Sequence, residues 1–356
     1  MKKLFSVFMS LFFLTPLAIS SYASENPLYP YKTEDVFVRD PYILVYDGLY
    51  YMYGTGLATV EGYGCRVSPD LINWSEPYNV FVNTDSFDAA GDFWAPECHY
   101  YKGSFYLFAS YRSETTGFRG TSVFKASSPL GPFTEISDGH ITPHGKDHID
   151  GTLYIDEDGK PWMAYVNEWT SAENEIGRMS VVRLSDDLTS TVGEPKEIFT
   201  AHDAPWNASA VTDGPFLYKT EKGSLLMLWS TFSHEGYCVG IARSDNGKPD
   251  GNWTQELTRL YSRAFYFNKT NAFDGGHPML FTSLEGDLML AVHSPNSPEG
   301  EGDSRVSEHA VFFKMEEKND TLRIEKFYCF NRFKDLLTTI LNRIADLFEN
   351  LTDINK

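Results

Sequence analysis

Cysteine and positive charge are both scarce in this sequence, and each scarcity excludes a class of protein. The 356 residues include four cysteines, and none of them forms the closely spaced pair typical of a zinc site. Four well-separated cysteines also give no dense disulfide framework, so pairing and free thiols both stay open. Lysine and arginine total 30 against 49 aspartates and glutamates, a formal net charge of −19. So acidic a chain is not expected to bind nucleic acid or anionic membrane surfaces.

A long apolar run at residues 4–19 follows Lys2 and Lys3, and small residues precede a cleavage point after Ala23. The run is short for a membrane-spanning helix, and polar chain follows it at once. The sequence therefore predicts a signal peptide over residues 1–23. The mature protein is expected to be exported (periplasmic, extracellular or at the cell surface), with no stable membrane insertion after signal cleavage.

Aromatic residues are abundant, at 15% of the chain, and many of them belong to a repeated phrase. The phrase has a polar or acidic residue at the head of a short strand, a glycine turn, and a second strand rich in aromatic and aliphatic residues. It occurs five times. Aligning the turn glycines places five residues at about the same position, at intervals of 55, 55, 63 and 64 residues: Asp40, Ala95, Asp150, Asp213 and His277.

A period of this size with several short strands per copy is typical of a β-propeller. The sequence therefore predicts an all-β fold, a five-bladed β-propeller over residues 24–330. The innermost strands of a propeller line its axis, so their matching positions should bring three carboxylates and a histidine to one mouth. The alternative is that Asp and Gly only mark turns between strands.

Three longer loops and the C-terminal stretch fall outside the regular repeat. Residues 84–91, 167–177 and 202–210 form longer loops, and Trp94, Trp169 and Trp206 are candidate platforms for a sugar ring, with core packing as the alternative. Residues 331–356 carry apolar side chains at helical spacing and predict a C-terminal amphipathic helix or tail. That helix is expected to cover the propeller flank or to join another chain.

Paired carboxylates in one pocket are the standard apparatus for cleaving a glycosidic bond. One acid protonates the leaving oxygen, and a carboxylate activates water on the opposite face of the sugar. Carboxylates placed across an axial funnel should be separated by roughly 6.5–9.5 Å, the range of inverting enzymes. A third carboxylate near the acid would raise the pKa of that acid by like-charge repulsion.

On these residues the sequence resembles glycoside hydrolase family 43, the five-bladed propeller enzymes that act on arabinose- and xylose-containing polysaccharides. The resemblance spans residues 39 to about 295. The matching phrases are Arg39-Asp40-Pro41, Trp94-Ala95-Pro96, Ile149-Asp150-Gly151-Thr152-Leu153 and Asp213-Gly214-Pro215. The resemblance implies Asp40 as general base, Asp150 as the carboxylate that orients and tunes the acid, and Asp213 as general acid. The family usually has glutamate at this last place.

Glu97 is a second candidate for the proton donor, two residues beyond Ala95 on its strand and therefore expected to face the same way. Glu97-Cys98 also resembles the Glu-Cys pair of related fructan-cleaving enzymes, in which the glutamate donates the proton. His277 matches a histidine that lies on the axis of several relatives beside a calcium ion and waters. The alternative for His277 is a hydrogen bond to substrate or to a carboxylate. Arg39 is a candidate substrate contact.

The leading functional hypothesis is an exported, inverting glycoside hydrolase that requires no cofactor. Calcium beside His277 is the expected ion if any metal binds. The enzyme would release α-L-arabinofuranosyl or β-D-xylosyl units from plant polysaccharides or oligosaccharides. The alternative is a carbohydrate-binding propeller that does not hydrolyse its ligand, and a third hypothesis is a surface scaffold that uses the C-terminal helix.

Overall fold

Twenty strands form five four-stranded antiparallel sheets, and each sheet is built from strands that follow one another in the chain. The computed structural model describes residues 27–263, 273–296 and 308–329. The strands are numbered in chain order. The first blade contains β2 (Arg39–Tyr46), β3 (Leu49–Thr55), β4 (Gly62–Ser68) and β6 (Tyr78–Val82). The second contains β7 (Gly91–Tyr101), β8 (Ser104–Arg112), β9 (Arg119–Ala126) and β10 (Thr134–Glu135).

The other three blades repeat this arrangement. The third contains β11 (His148–Ile155), β12 (Pro161–Asn167), β13 (Arg178–Leu184) and β14 (Thr191–Thr200). The fourth contains β15 (Asp213–Lys219), β16 (Leu225–Ser233), β17 (Gly236–Ser244) and β18 (Trp253–Gln255). The fifth contains β19 (Gly276–Thr282), β20 (Leu288–Ser294), β21 (His309–Lys318) and β22 (Thr321–Cys329). Three short 3-10 helices, Thr33–Asp35, Glu173–Glu175 and Ala201–Asp203, lie between strands.

The prediction of an all-β, five-bladed propeller is therefore confirmed. Its hairpins follow from local sequence. Asp47 and Gly48 both adopt positive φ, 49° and 75°, which gives the tight two-residue turn that matches the twist of β2 and β3. Lys102 and Gly103 repeat this turn between β7 and β8, with φ of 45° and 81°.

The hydrophobic core lies between neighbouring blades, in separate clusters. One cluster joins blades two and three, one joins three and four, and one joins four and five. The largest cluster combines the first blade with parts of the second and the fifth, and it includes the fully buried Trp74. Each blade is therefore held by its two neighbours, and this fixes the inner strands relative to one another.

The segment before the first blade packs against the outside of that blade. Its short strand β1 (Tyr31–Lys32) pairs with β5 (Asn73–Trp74), and the Trp74 indole N–H donates to Thr33 Oγ1 at 3.0 Å. The segment before the first blade therefore lies across the outside of the propeller at β1.

Several predicted features lie outside the described residues, namely the signal peptide (1–23) and the C-terminal helix (331–356). Cys65, Cys98 and Cys238 are buried free thiols. None of the helices in the described ranges is long and apolar enough to cross a bilayer.

Candidate active site

Each of the five inner strands carries the same backbone irregularity, at its second or third residue in four blades and at its fifth in β7. Pairing with the second strand shifts register there, and one residue adopts positive φ. These five residues are Asp40 (54°), Ala95 (42°), Asp150 (57°), Gly214 (50°) and His277 (53°). The irregularity is a β-bulge, which redirects a side chain locally. Repeated five times, it directs this position of every blade to one mouth of the axis.

The fourth blade corrects the sequence-based register by one residue. Gly214, and not Asp213, is equivalent to Asp40, Asp150 and His277. A Cβ at Gly214 would lie 2.8 Å from Cγ of His277, so the histidine ring takes the space of a side chain there. Gly214 stands nine residues before its turn glycine, as Asp150 and His277 do, whereas Asp213 stands ten residues before it, so the turn spacing itself favours Gly214. Asp213 occupies the preceding position, equivalent to Arg39.

The bulged N–H groups are satisfied by side chains of the preceding blade. Thr55 Oγ1 accepts from the N–H of Ala95 at 2.8 Å, and Ser110 Oγ from that of Asp150 at 3.1 Å. Ser230 Oγ accepts from the N–H of His277 at 2.8 Å. A buried N–H must find a partner, so these contacts fix the angle between neighbouring inner strands.

The junction between the third and fourth blades departs from this pattern. The equivalent residue there is Val166, which carries no acceptor, and Oδ2 of Asp150 accepts the N–H of Gly214 at 3.0 Å instead. This contact fixes the orientation of the Asp150 carboxyl.

Asp40 is held as a carboxylate. Its Oδ2 accepts from the Thr55 hydroxyl at 2.7 Å, and its Oδ1 lies 3.1 Å from Nδ1 of His277. Burial alone would raise the pKa of Asp40, but the charge and hydrogen bond of His277 outweigh it and hold that pKa well below its usual range. Asp40 is therefore ionised at neutral pH, which is the protonation state that a general base requires.

His277 lies between two carboxylates and carries the positive charge of the site. Its Nδ1 is 3.1 Å from Asp40 Oδ1 and 3.9 Å from Asp150 Oδ2. Burial would lower the pKa of His277, but these two negative charges raise it well above its ordinary value. Its other ring nitrogen, Nε2, is buried and has no hydrogen-bond partner among the described residues.

The other two carboxyl groups have raised pKa values. Burial raises the pKa of Asp150 to about 6, with the charge of His277 opposing and that of Asp40 adding to the shift. Burial also raises the pKa of Asp213 to about 8, and the charge of Asp150 contributes. Oδ2 of Asp213 accepts a hydrogen bond from the Tyr237 hydroxyl at 2.9 Å. At neutral pH Asp213 is therefore a protonated acid near an ionised Asp40.

His293 approaches Asp40 but does not form an ion pair with it. The backbone N–H of Asp40 donates to Nδ1 of His293 at 3.2 Å, so this nitrogen carries a lone pair. Nε2 then carries the hydrogen and donates to Asn296 Oδ1 at 2.9 Å. Burial lowers the pKa of His293 to about 4, which agrees with a neutral ring. The 3.5 Å separation between Nδ1 and Asp40 Oδ1 is a consequence of this backbone contact.

Glu97 lies deeper along the axis than the three aspartates. The register shift after Trp94 breaks the regular alternation that placed Glu97 and Ala95 on one face. Oε2 of Glu97 lies 3.2 Å from Nε2 of His99, and Nδ1 of His99 lies 3.1 Å from the Tyr42 hydroxyl. Glu97 is thus held by His99, although its charge still acts on Asp150 and His277.

Trp94 and Arg39 lie at the rim of the mouth. Trp94 is half-buried, and the Arg119 guanidinium lies 4.9 Å from its ring centroid, within cation–π range. Arg39 is partly exposed and contacts Glu308 Oε1 at 3.1 Å and Asn296 Oδ1 at 3.2 Å.

The two loop tryptophans lie in different surroundings. Trp169 is half-buried and directly follows Glu168, whose Oε2 lies 2.9 Å from Arg119 Nε. Trp206 packs against Trp229, with ring centroids 5.6 Å apart, and donates to the carbonyl of Glu256 at 3.0 Å. Its ring also covers Gly240 on the third strand of its blade, away from the inner strands. For Trp206 the surroundings therefore match the core-packing alternative.

Sequence reasoning missed the residues that hold the cluster in place. Thr55, Ser110, Ser230 and His293 are the partners of the bulged N–H groups, and Tyr237 is the partner of Asp213. A signal was present, because Thr55 and Ser110 each stand 15 residues after a bulge residue. Tyr237 lies on a third strand, and no periodicity pointed to it.

A calcium ion on the axis has one candidate protein ligand. The charged His277 ring has a hydrogen on Nε2, so a metal could bind there only after that proton is lost, with Nδ1–H still donating to Asp40 and orienting the ring. The described residues contain no group of three or more His, Cys, Asp or Glu side chains that could hold a metal. Within the part of the chain that the structure describes, calcium on the axis would therefore have one nitrogen ligand and waters, although calcium prefers oxygen ligands.

The fold and the site together define a class: a five-bladed propeller with three aspartates and a histidine clustered on its axis. The model of the family Glycosyl hydrolases family 43 matches residues 27–321, and the chain belongs to this family. The prediction made from the axial motifs is thereby confirmed.

Solved structures and curated sequences give its relatives. An endo-arabinase from Bacteroides thetaiotaomicron is 35% identical with a TM-score of 0.71, and the match covers 82% of this chain and 98% of that one. A thermostable family-43 glycoside hydrolase is 25% identical with a TM-score of 0.73, covering 86% and 96%. An extracellular exo-α-(1→5)-L-arabinofuranosidase of Cellvibrio japonicus is 28% identical over 46% of this chain and 48% of its own length. The chain spans about half the length of the first curated relatives it matches.

Proposed function

We propose that this chain is an exported, inverting glycoside hydrolase that releases α-L-arabinofuranosyl or β-D-xylosyl units from plant polysaccharides or oligosaccharides. The observation that carries the proposal is a single axial cluster with an ionised carboxylate, Asp40, and a protonated one, Asp213. Export rests on the signal peptide predicted from sequence, and two of the relatives are named as extracellular enzymes. Several relatives are named as arabinanases or as an arabinofuranosidase, which favours arabinofuranosyl substrates.

The proposed mechanism assigns one role to each carboxyl group. Asp40 takes a proton from a water molecule that attacks the anomeric carbon, and Asp213 gives its proton to the leaving oxygen. Burial keeps Asp213 protonated, and the ionised Asp150, held by the Gly214 N–H, adds to this by like-charge repulsion. His277 compensates the negative charge of Asp40 and Asp150. A bound calcium ion would add positive charge at His277, and no step needs it.

Assays on aryl arabinofuranosides, aryl xylosides and arabinan fragments test this function, with proton NMR of early product. An inverted anomer is expected, and a retained anomer would overturn the mechanism. Asp40→Asn should lower turnover by about 10²–10⁴-fold, the usual contribution of base catalysis, with the fold intact by circular dichroism. Near-normal turnover of this variant would remove Asp40 as the base.

The proton donor is tested by two variants and two leaving groups. Asp213→Asn should slow a natural glycoside severely and an activated aryl glycoside far less, because a good leaving group needs little protonation. Glu97→Gln is the matched variant for the alternative donor. If only Glu97→Gln shows the selective loss and removes the alkaline limb of the pH profile, Asp213 is not the donor.

A non-hydrolytic carbohydrate-binding propeller is the second candidate. It is favoured by the aspartate at position 213, which is one methylene shorter than the glutamate usual in this family phrase. Thermal stabilisation by arabino- or xylo-oligosaccharides without any turnover would support it.

A further inference from the structure

Tyr237 is the direct hydrogen-bond partner of Asp213. It is 2% exposed, its hydroxyl donates to Oδ2 at 2.9 Å, and its own backbone N–H donates to Asp274 Oδ2 at 3.1 Å. Because Oδ2 of Asp213 accepts this hydrogen, the acidic proton of the neutral carboxyl group lies on Oδ1. The contact therefore selects which oxygen can donate a proton.

The fifth blade makes room for this tyrosine. The position equivalent to Arg39, Ile149 and Asp213 is Gly276 in β19. A Cβ at Gly276 would collide with the ring carbons of Tyr237 and would lie 2.6 Å from Ser230 Oγ. The ring thus occupies the space that a side chain fills in the other blades, and its place at the mouth is set by close packing.

The other face of Tyr237 connects the acid to the base. Its ring stacks on His293, with centroids 5.5 Å apart and planes 19° from parallel. His293 in turn accepts the backbone N–H of Asp40. One side chain therefore contacts Asp213 directly and supports the residue that holds Asp40.

We propose that Tyr237 is a positioning residue, whose hydroxyl orients the Asp213 carboxyl for proton donation while its ring fixes His293 beneath Asp40. This inference rests on the proposed function, in which Asp213 is the donor. The carboxyl group of an aspartate rotates easily about its single bond. Because the Tyr237 hydroxyl holds Oδ2 of Asp213, it also fixes the direction in which Oδ1 points. Loss of the hydroxyl should misdirect the proton and leave substrate binding largely intact.

The direction of the pH effect follows from the same contact. The hydroxyl donates to the ionised carboxyl group and so opposes the burial that raises the pKa of Asp213 to about 8. Burial also raises the pKa of Tyr237 well above its ordinary value, so it remains a donor throughout the working range. The charged or titratable groups that face Asp213 are Asp150, His277, Asp40, Tyr237 and Arg39. Without the hydroxyl, the pKa of Asp213 should rise further.

Tyr237→Phe is the test, because it keeps the ring on His293 and removes only the hydroxyl. On a natural arabino- or xylo-oligosaccharide kcat should fall about 10–100-fold with KM changed less than about 3-fold, in the lower range of general acid effects. The loss on an activated aryl glycoside should be several-fold smaller. The alkaline limb of the kcat profile should move to higher pH. Equal losses on both substrates, or an alkaline limb that stays in place, would overturn the inference.

Tyr53→Phe is the matched control. Tyr53 is also fully buried, and its hydroxyl donates to a backbone carbonyl, that of Pro129, outside the cluster. This variant should lower the melting temperature and leave both the substrate ratio and the pH profile unchanged. If Tyr53→Phe reproduces the kinetic changes of Tyr237→Phe, the effect is one of general stability and the inference fails.

A measurement without turnover separates this inference from the proposed function. Carboxyl carbon NMR of aspartate-labelled protein, with the Asp213 signal assigned through Asp213→Asn, gives the titration midpoint directly. Tyr237→Phe should move that midpoint upward. If the wild-type protein hydrolyses nothing, the proposed function fails, and this midpoint still decides whether Tyr237 controls Asp213. An unchanged midpoint would refute that control.

Discussion

His277 determines how charge is divided among the carboxyl groups of the cluster. It contacts Asp40 at 3.1 Å and lies 3.9 Å from Asp150. The pKa of Asp213, in contrast, is set chiefly by burial and by the charge of Asp150. One cation is therefore placed unequally among three acids, and the acid it contacts most closely is the one that ionises first. The environments of Asp40 and Asp213 are pushed apart, which is how one site can hold both a base and an acid.

This division predicts that Asp213 lowers stability at alkaline pH. Its pKa is about 8 in the folded protein and about 3.9 in an unfolded chain, so the folded state holds the proton more firmly. The free energy of unfolding therefore falls as pH rises from about 4 to about 8 and is level above that. Asp213→Asn lacks this loss. The difference in melting temperature, variant minus wild type, should therefore be more positive at pH 9 than at pH 5.

Asp40→Asn is the control, because the pKa of Asp40 is shifted in the opposite direction to that of Asp213. The folded-state pKa of Asp40 is lowered, so its contribution is present above the unfolded pKa and is lost as pH falls through the folded value. This variant should therefore be less stable than wild type at both pH 5 and pH 9. If the melting-temperature difference between Asp213→Asn and wild type is the same at both pH values, the pKa of Asp213 is not raised in the folded protein.

At the scale of the strand, the active position is created by a bulge and by the side chain that satisfies its N–H group. Ser110 accepts the N–H of Asp150 at 3.1 Å and is fully buried. Ser110→Ala leaves that donor without this acceptor, which should cost about 1–3 kcal/mol of stability. It should also lower kcat by about 10-fold, because the Asp150 backbone is released.

Ser137→Ala is the matched variant for that prediction. Ser137 is also buried and accepts one backbone N–H, that of Val123, at 3.0 Å, but it lies in an outer part of the second blade. Urea unfolding should give a similar loss of stability for both variants, with kcat reduced only for Ser110→Ala. Equal kcat values for the two variants would show that the bulge contact does not position Asp150.

Strand periodicity predicted the blades and the identity of the axial residues, but not the local geometry of the bulges. Repeated turns and alternating apolar residues are local signals, and they placed Asp40, Asp150 and His277 at one mouth correctly. The register of Asp213 was wrong by one residue because Asp213 was aligned with the other carboxylates although it stands one residue further from its turn glycine than Asp150 and His277 do. Tyr237 and His293 reach the site from other strands, and such contacts depend on how blades pack rather than on spacing along the chain.

At the scale of the whole molecule, the ring closes by contacts between complete blades. The first blade comes entirely from residues 39–82 and the last entirely from residues 276–329, and no described sheet mixes the two. Their junction includes the base: Asp40 belongs to the first blade, and its His277 and His293 partners belong to the fifth. Closure of the ring is therefore a condition for assembling the site.

Tyr50 provides a test of closure away from the mouth. It is 1% exposed near the turn between β2 and β3, at the end of the blade opposite Asp40. Its hydroxyl accepts the N–H of Leu284 at 2.9 Å and lies 3.3 Å from Glu285 Oε2, both in the fifth blade. Tyr50→Phe leaves the Leu284 N–H without this acceptor. It should reduce the free energy of unfolding by about 1–2 kcal/mol, with kcat unchanged, because the mouth is held by separate contacts.

Tyr218→Phe is the comparison at the junction between the fourth and fifth blades. The Tyr218 hydroxyl donates to Glu317 Oε2 at 3.3 Å, and that carboxylate also accepts the N–H of Glu221 at 3.0 Å. Removing this hydroxyl leaves no backbone donor unpaired. In urea unfolding, Tyr218→Phe should therefore lose less free energy of unfolding than Tyr50→Phe. If both variants lose the same free energy of unfolding, the contact between Tyr50 and the Leu284 N–H does not stabilise ring closure more than the Tyr218 contact does. If Tyr50→Phe lowers kcat in folded protein, the two ends of the blade are coupled and the mouth is not held independently.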